Sequence, residues 1–184
     1  MSKLLYSATM SLDGFIAGPD GDMSWLTRHL VHSPGVDELM DSIGALLIGR
    51  RTFSGDDPHR GTDQEGAFGG SWHGPSVVLT HDPPAGDPDP DVTFAGDLDS
   101  AVACAKAAAR GSYVNVLGAN LARQCLEAGV LDEILVFLAP VLLGDGTRLF
   151  DHPGGTDIGL EPLDRPGTGP MSHWLRVARA GVDA

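Results

Sequence analysis

Short apolar runs recur along the chain at Lys3–Thr9, Ala45–Ile48, Ser76–Thr80, Tyr113–Leu117 and Glu133–Leu138. Most are too short for helices, and several carry β-branched or aromatic residues, so they predict strands. Their apolar character is nearly continuous rather than alternating, which predicts strands covered on both faces. Between them the period changes. In Asp97–Arg110, residues Leu98, Ala101, Val102, Ala105 and Ala109 recur at helical spacing, with Asp97 placed to cap the start and Gly111 to close the end. Leu121, Ala122, Cys125 and Leu126 make a second stripe in Asn120–Ala128, followed by Gly129, and Val36, Leu39, Met40 and Ile43 make a third in Pro34–Ile43. Strands alternating with helices predict an α/β fold whose sheet is mainly parallel and sandwiched between helices. The chain ends differently. Ile158–Leu163 and Met171–Ala178 predict two strands joined by a Pro/Gly-rich connection, an antiparallel edge to the same sheet. The stretch Gly55–Pro75 has no clear period and is longer than an ordinary connection, and Asp82–Asp91, with Pro83, Pro84, Pro88 and Pro90, predicts a stiff surface loop.

A length of 184 residues predicts one domain spanning 1–184, with room for a substantial core. No apolar run approaches the roughly 18 residues of a membrane span, and the start, Met1-Ser2-Lys3-Leu4-Leu5-Tyr6, does not read as a signal peptide. The balance of 12 Lys+Arg against 25 Asp+Glu gives a net charge of −13, which repels nucleic acid and anionic membranes. Neither is expected as a partner. Cys104 and Cys125 fall in helical patterns without metal spacing, as buried or half-buried thiols in a reducing cytosol would, and the composition suits an acidic cytoplasmic protein. His29 and His32 stand three apart with no evident carboxylate or cysteine partner, so no metal site is expected. No G-x-S-x-G nucleophile motif occurs.

Candidate chemistry collects at strand ends. In Leu46-Leu47-Ile48-Gly49-Arg50-Arg51-Thr52-Phe53 a strand reaches a glycine, two arginines able to grip phosphate follow, and Thr52 can cap a new helix. An ordinary strand–helix joint with solvated arginines reads the same way. In Val114-Asn115-Val116-Leu117-Gly118-Ala119-Asn120-Leu121 a strand again ends in glycine and a helix starts at once, the geometry that sets a pyrophosphate on a helix N-terminus, although the G-x-G-x-x-G fingerprint is missing. Val77-Val78-Leu79-Thr80-His81 ends a third strand in polar residues. Ser11-Leu12-Asp13-Gly14-Phe15-Ile16-Ala17 follows the first strand and turns apolar again at Phe15, as a pocket wall or a turn covering the core would. Three strand ends on one sheet edge share an anion-friendly design.

On these residues the chain resembles the dihydrofolate reductase-like superfamily, above all its branch containing the C-terminal reductase domain of the riboflavin-biosynthesis deaminase–reductases. The resemblance is carried by Met10–Ala17, Ile48–Phe53, Leu79–His81, Gly118–Gln124, Val130–Glu133 and Pro140–Gly146. It implies a three-layer α/β/α sandwich with a mixed, mostly parallel central sheet, NADPH as hydride donor and a small-molecule substrate. It implies Gly49 and Thr52 near the cofactor phosphates, Arg50 and Arg51 at the 2′-phosphate, and Leu79, Thr80 and His81 toward the adenosine end. It also implies Gly118, Ala119, Asn120 and Leu121 at the pyrophosphate, and Ala8, Ile16 and Ala17 flanking the nicotinamide. The same branch implies a homodimer. Phe15 and Trp25 are candidates to stack on the substrate, with core packing the alternative for Trp25. Asp13 is the candidate catalytic residue, as a polar substrate contact or a loop-ordering one.

The chain departs from the dihydrofolate reductases where they carry a pterin-binding acid on the first helix. Here Asp37, Glu38 and Asp41 lie beside the apolar stripe, as a solvated face would, which disfavours folate as substrate. No deaminase domain is expected ahead of a strand that begins at Lys3. Gly55–Pro75, with Asp56, Asp57, His59, Trp72 and His73, is a candidate substrate lid or a surface or dimer-contact loop. Two functions remain: an NADPH-dependent reductase of a small heterocyclic or carbonyl substrate, or a catalytically inactive nucleotide-binding or regulatory member of the same fold.

Overall fold

The computed structural model describes residues 1–29, 34–55, 57, 59, 61–85, 89–165 and 171–178. Its elements, in chain order, are β1 (Leu4–Ser11), β2 (Phe15–Ala17), α1 (Pro34–Ser42), β3 (Ile43–Gly49), α2 (Arg50–Ser54), β4 (Ser76–Leu79), β5 (Val92–Ala95), α3 (Leu98–Ala108), β6 (Tyr113–Leu117), α4 (Ala119–Glu127), β7 (Glu133–Ala139), β8 (Thr147–Arg148), β9 (Leu160–Pro162) and β10 (Ser172–Val177), with two 3-10 turns at Pro19–Gly21 and Ser24–Arg28.

Eight strands form one sheet in the order β5-β4-β3-β6-β1-β7-β10-β9. Every pairing from β5 to β7 is parallel, and β10 runs antiparallel to both β7 and β9. The expected mixed, mostly parallel sheet with an antiparallel edge is therefore present. Side-chain alternation divides the core between two faces. On one face Leu4, Tyr6, Val114 and Val116 pack with Ala101, Ala105, Leu121 and Cys125 of α3 and α4. On the other Leu5, Leu46, Ile48, Val78 and Leu135 pack with Leu39 of α1 and Trp174 of β10. These are the three layers.

Local chemistry sets the element ends. The Asp97 carboxylate accepts from the Ser100 N–H at 2.8 Å and caps α3, whose C-cap is Ala109; the left-handed residue that follows is Arg110 at φ +49, not the expected Gly111, which comes one residue later at φ +101. The predicted helix Pro34–Ile43 stops one residue early because Ile43 already pairs with Tyr113 in β3. Two features were not expected. β5 is a partly exposed edge strand of only four residues, and β2 pairs with β8 in a separate two-stranded ribbon. The described part of Gly55–Pro75 does not stand clear of the fold. Ala67, Phe68 and Trp72 pack against the α1-side cluster, and the Trp72 indole N–H donates to the Gly74 carbonyl at 3.0 Å. Asp56 of the candidate lid and His32 of the histidine pair lie outside the described residues.

A buried carboxylate fastens the opposite end of the sheet. Glu133, fully buried at the start of β7, accepts from Lys3 Nζ at 2.7 Å, the Tyr113 hydroxyl at 2.8 Å and the Trp174 indole N–H at 2.7 Å. These donors come from the N-terminal end of β1, from β6 and from β10, so one side chain ties four neighbouring strands.

Candidate functional site

Because β1, β3, β4, β5, β6 and β7 all run parallel, their C-terminal ends share one edge, and there the predicted turns converge. Gly118 links β6 to α4 with φ +108 and ψ 128, a backbone state that side chains other than hydrogen rarely permit. A Cβ on Gly118 would lie 2.6 Å from Thr52 Oγ1, so the two predicted phosphate turns touch. The first helical bond of α4 runs from the Ala122 N–H to the Gly118 carbonyl at 3.0 Å. The N–H groups of Ala119, Asn120 and Leu121 are thus outside the helix's own ladder and open the positive end of its dipole. A small residue at the turn, free amide donors and nearby arginines are the donor set an anionic dinucleotide needs.

Gly49 is placed differently from its expected role. Its φ of −74 and ψ of 148 are ordinary extended backbone, and it caps α2 without a side-chain hydrogen bond. Its Cβ position faces the Leu121 Cβ at 3.5 Å, ordinary contact distance. The tight turn belongs to Gly118 instead. Thr52 does not open α2 either: the helix begins at Arg50, and Thr52 is its third residue, with an exposed side chain. Arg50 makes an exposed 3.2 Å ion pair with Asp82, whereas exposed Arg51 has no partner among the described residues. A pair so screened by water is weak and easily opened.

Next to this pair lies a groove of about 420 Å³ lined by Arg50, Phe53, Val78, Thr80, Asp82 and Phe94. Phe53 is 41% exposed and meets Phe94 edge-on at 5.7 Å, which offers an aromatic edge to a planar ring. Thr80 is buried, and its hydroxyl is used locally, accepting from the Asp82 N–H at 3.1 Å. His81, between the lining residues Thr80 and Asp82 in the chain, is exposed and does not line the groove. Phe53 and Asp82 were not singled out from the sequence; the exposed aromatic three residues after Arg50 was the available signal.

On the other side of Gly118, β1 is an interior strand, yet Ser7, Ala8, Thr9 and Met10 are only half-buried. Strand alternation divides these four between the faces: Ala8 and Met10 pack against the α3–α4 cluster, and Ser7 and Thr9 face the α1 side. Ile16 and Ala17 lie on β2 of the β2–β8 ribbon, and Ala17 is buried. The loop holding them is pinned by Asp13, whose carboxylate accepts from the Ser11 hydroxyl at 2.6 Å and from the N–H groups of Leu143 at 3.1 Å and Gly144 at 2.7 Å. The Ser11 hydrogen bond foremost, aided by those two backbone donors, lowers the Asp13 pKa to about 2. Asp13 is therefore ionised at neutral pH, a loop anchor and a poor proton donor.

The two aromatic candidates are enclosed. Phe15 is 5% exposed, and the Arg148 guanidinium sits 4.5 Å from its ring centroid. Trp25 is 4% exposed, with its ring 6.0 Å from that of His29. Neither presents a free face for stacking in this state, and both act as core packing. On α1, Asp37, Glu38 and Asp41 are all exposed, so none supplies a buried acid. Among the described residues no cluster of His, Cys, Asp or Glu could hold a metal, and no helix is long and apolar enough to cross a membrane.

Comparison with known proteins bears on the family and the fold. The family model of the RibD C-terminal domain matches residues 2–164. The uncharacterized protein YwjB of Bacillus subtilis (strain 168) is 25% identical over 177 residues, covering 95% of this chain and 97% of YwjB. The riboflavin biosynthesis protein RibD of Corynebacterium ammoniagenes is 29% identical over 157 residues, 78% of this chain but only 44% of RibD. Among solved structures, a riboflavin biosynthesis protein from Shewanella sp. PV-4 superposes with a TM-score of 0.71 at 21% identity, over 96% of this chain and 99% of the other. Dihydrofolate reductase from Enterococcus faecalis, complexed with NADP(H), superposes at 0.52 and 15% identity, over 95% and 94%. The chain belongs to the RibD C-terminal domain family and has the dihydrofolate reductase-like fold.

Proposed function

We propose that this member of the RibD C-terminal domain family is a reductase that uses NADPH to reduce a small heterocyclic, pterin- or flavin-precursor-like, or carbonyl substrate. One observation carries the reading: the Gly49–Thr52 and Gly118–Leu121 turns meet, with Thr52 Oγ1 where a Gly118 Cβ would press. That junction joins a helix N-terminus to an arginine-bearing turn on an acidic protein of net charge −13, the local exception an anionic cofactor requires.

In this reading Gly118, Ala119, Asn120 and Leu121 hold the pyrophosphate through backbone N–H groups, and Thr52 adds its hydroxyl. Arg51 is the first choice for the 2′-phosphate, with Arg50 joining once it leaves Asp82. Phe53, Leu79, Thr80 and His81 bound the adenosine end. Ala8, Ile16 and Ala17 flank the nicotinamide. NADPH, when bound, supplies the hydride. The chain orients the reactants and excludes water, and Asp13 does so indirectly by fixing the loop that carries Phe15 to Ala17. A homodimer belongs to the same proposal, supported by the family resemblance and decided by sedimentation equilibrium.

The second reading, a nucleotide-binding member without turnover, is favoured by the exposure of Asp37, Glu38 and Asp41 and the engagement of Asp13. Mixing the protein with NADPH and a panel of pterins, flavin precursors and small carbonyls separates the two. The reductase reading expects enzyme-dependent loss of NADPH absorbance with at least one compound. Tight NADPH binding without oxidation across the panel would contradict it and support the second reading.

A further inference from the structure

Arg50, the first residue of α2, and Asp82, in the connection from β4 to β5, both line the groove of about 420 Å³. Among the described residues lining it they are the single base and the single acid, and they pair at 3.2 Å. The acid runs against what the groove is proposed to take. The chain already carries a net charge of −13, and a carboxylate near a phosphate dianion weakens its binding unless a cation stands between them.

Asp82 is also firmly placed. The buried Thr80 hydroxyl meets both of its backbone groups, accepting from the Asp82 N–H at 3.1 Å and donating to the Asp82 carbonyl at 3.2 Å. The Thr80 N–H in turn donates to the Ala95 carbonyl of β5 at 2.9 Å. Pro83 and Pro84 follow at once, each with its φ fixed by the ring. Arg50 is the partner that can move, on a long side chain that is 62% exposed. An ion pair this wet adds little to the stability of the fold. Its larger consequence is for an anion entering the groove, which must take Arg50 from Asp82.

We infer that Asp82 sets the cofactor selectivity of this chain by competing with the 2′-phosphate of NADPH for Arg50. The inference rests on the cofactor reading above. When NADPH binds, Arg50 turns from the Asp82 carboxylate to the 2′-phosphate, and one ion pair replaces another. NADH carries a hydroxyl at that position, so Arg50 stays on Asp82 and nothing is exchanged. The cost of the exchange therefore falls on NADPH alone and narrows the margin that Arg51 gives it over NADH. Asp82 touches no cofactor atom in this scheme. It is a positioning residue that acts through Arg50, and the stiff Thr80-Asp82-Pro83 support keeps it from following the arginine away.

The test titrates NADPH and NADH into wild type and Asp82→Asn, following cofactor fluorescence at low ionic strength. The substitution keeps the shape of the side chain and removes its charge. Asp82→Asn is expected to bind NADPH at least about three-fold more tightly than wild type, the scale of one exposed ion pair at low salt, with NADH affinity unchanged. Asp82→Ala, which removes the same charge, decides if Asp82→Asn does not fold. The exchange itself is read in ¹⁵N-labelled protein from the Arg50 Nε–H resonance, identified by its loss in Arg50→Lys. NADPH is expected to move that resonance, and NADH is not. Unchanged NADPH affinity on removal of the Asp82 charge overturns the inference, and so does an equal gain for both cofactors. An Arg50 resonance that NADPH does not move overturns it as well. In each of these cases intact NADPH binding leaves the cofactor reading standing. Failure of the wild type to bind either cofactor removes that reading and the inference with it.

Discussion

Gly118→Ala is expected to weaken NADPH binding at least about ten-fold and to destabilise the fold by about 1–3 kcal/mol, whereas Gly49→Ala should shift stability by less than about 0.5 kcal/mol. The contrast follows from backbone state. Gly118 sits at φ +108, where any Cβ is strained, and its new methyl would press on Thr52 Oγ1 at 2.6 Å. Thr52 can swing aside, since its side chain is exposed, but the backbone strain stays and the methyl remains between the two turns. Displacing even one charge-assisted hydrogen bond to a phosphate there accounts for a ten-fold loss. Gly49 has φ −74, and its Cβ would meet only the Leu121 Cβ at 3.5 Å. Thermal melts and fluorescence titrations of both variants check the pair. Equal behaviour of the two would remove Gly118 from the site.

The second large effect is on stability, at the other end of the sheet. Glu133→Ala is expected to cost about 3 kcal/mol, a fall in Tm of roughly 6–12 °C for a domain this size. The loss leaves the Tyr113 hydroxyl and the Trp174 indole N–H without their acceptor, while Lys3, 46% exposed, turns to water. Burial by itself would raise the Glu133 pKa, but hydrogen bonds from Lys3, Tyr113 and Trp174 outweigh it and the net shift is downward. A depressed folded-state pKa stabilises above the unfolded carboxyl's value of about 4.3, and that contribution fades as pH falls through the lower folded value. The stability gap between wild type and Glu133→Ala should therefore be widest near neutrality and narrow in acid. Urea melts across that range measure it, and a gap that widens in acid would refute the assignment.

Continuity of apolar character was enough to place β1, β3, β4, β6 and β7, because strands buried on both faces have no polar period to confuse with a helix. Asp97 set the start of α3 for a reason visible in the residue itself, a capping carboxylate, whereas the helix ends before the expected Gly111, with Ala109 as C-cap and Arg110 in the left-handed turn. β5 escaped because Val92-Thr93-Phe94-Ala95 is an edge strand, short and partly wet, following a proline- and aspartate-rich loop. The β2–β8 ribbon escaped because three residues and two residues hold too little pattern, and what joins them is tertiary: the Asp13 anchor and Arg148 over Phe15. The candidate site divides in the same way. Which strand ends gather on one edge follows from a parallel sheet, and that was legible. Which glycine needs its missing Cβ depends on φ and on a neighbour 66 positions away, Thr52 against Gly118, and neither is written in local sequence. Asn115 stood inside a run that predicted a strand, and neither the Ser7 hydroxyl on its Oδ1 nor the missing partner of its Nδ2 is written in local sequence.

The most direct measurement is a titration of the wild-type protein with NADPH and with NADH, following cofactor fluorescence, repeated with Arg51→Ala. Saturable binding is expected with NADPH preferred over NADH, and a loss in Arg51→Ala that falls much more heavily on NADPH, because in the proposed site the arginine meets the 2′-phosphate that NADH lacks. Equal losses for both cofactors would contradict the role of Arg51. Failure of either cofactor to bind the wild-type protein at millimolar concentration would contradict the site as a whole.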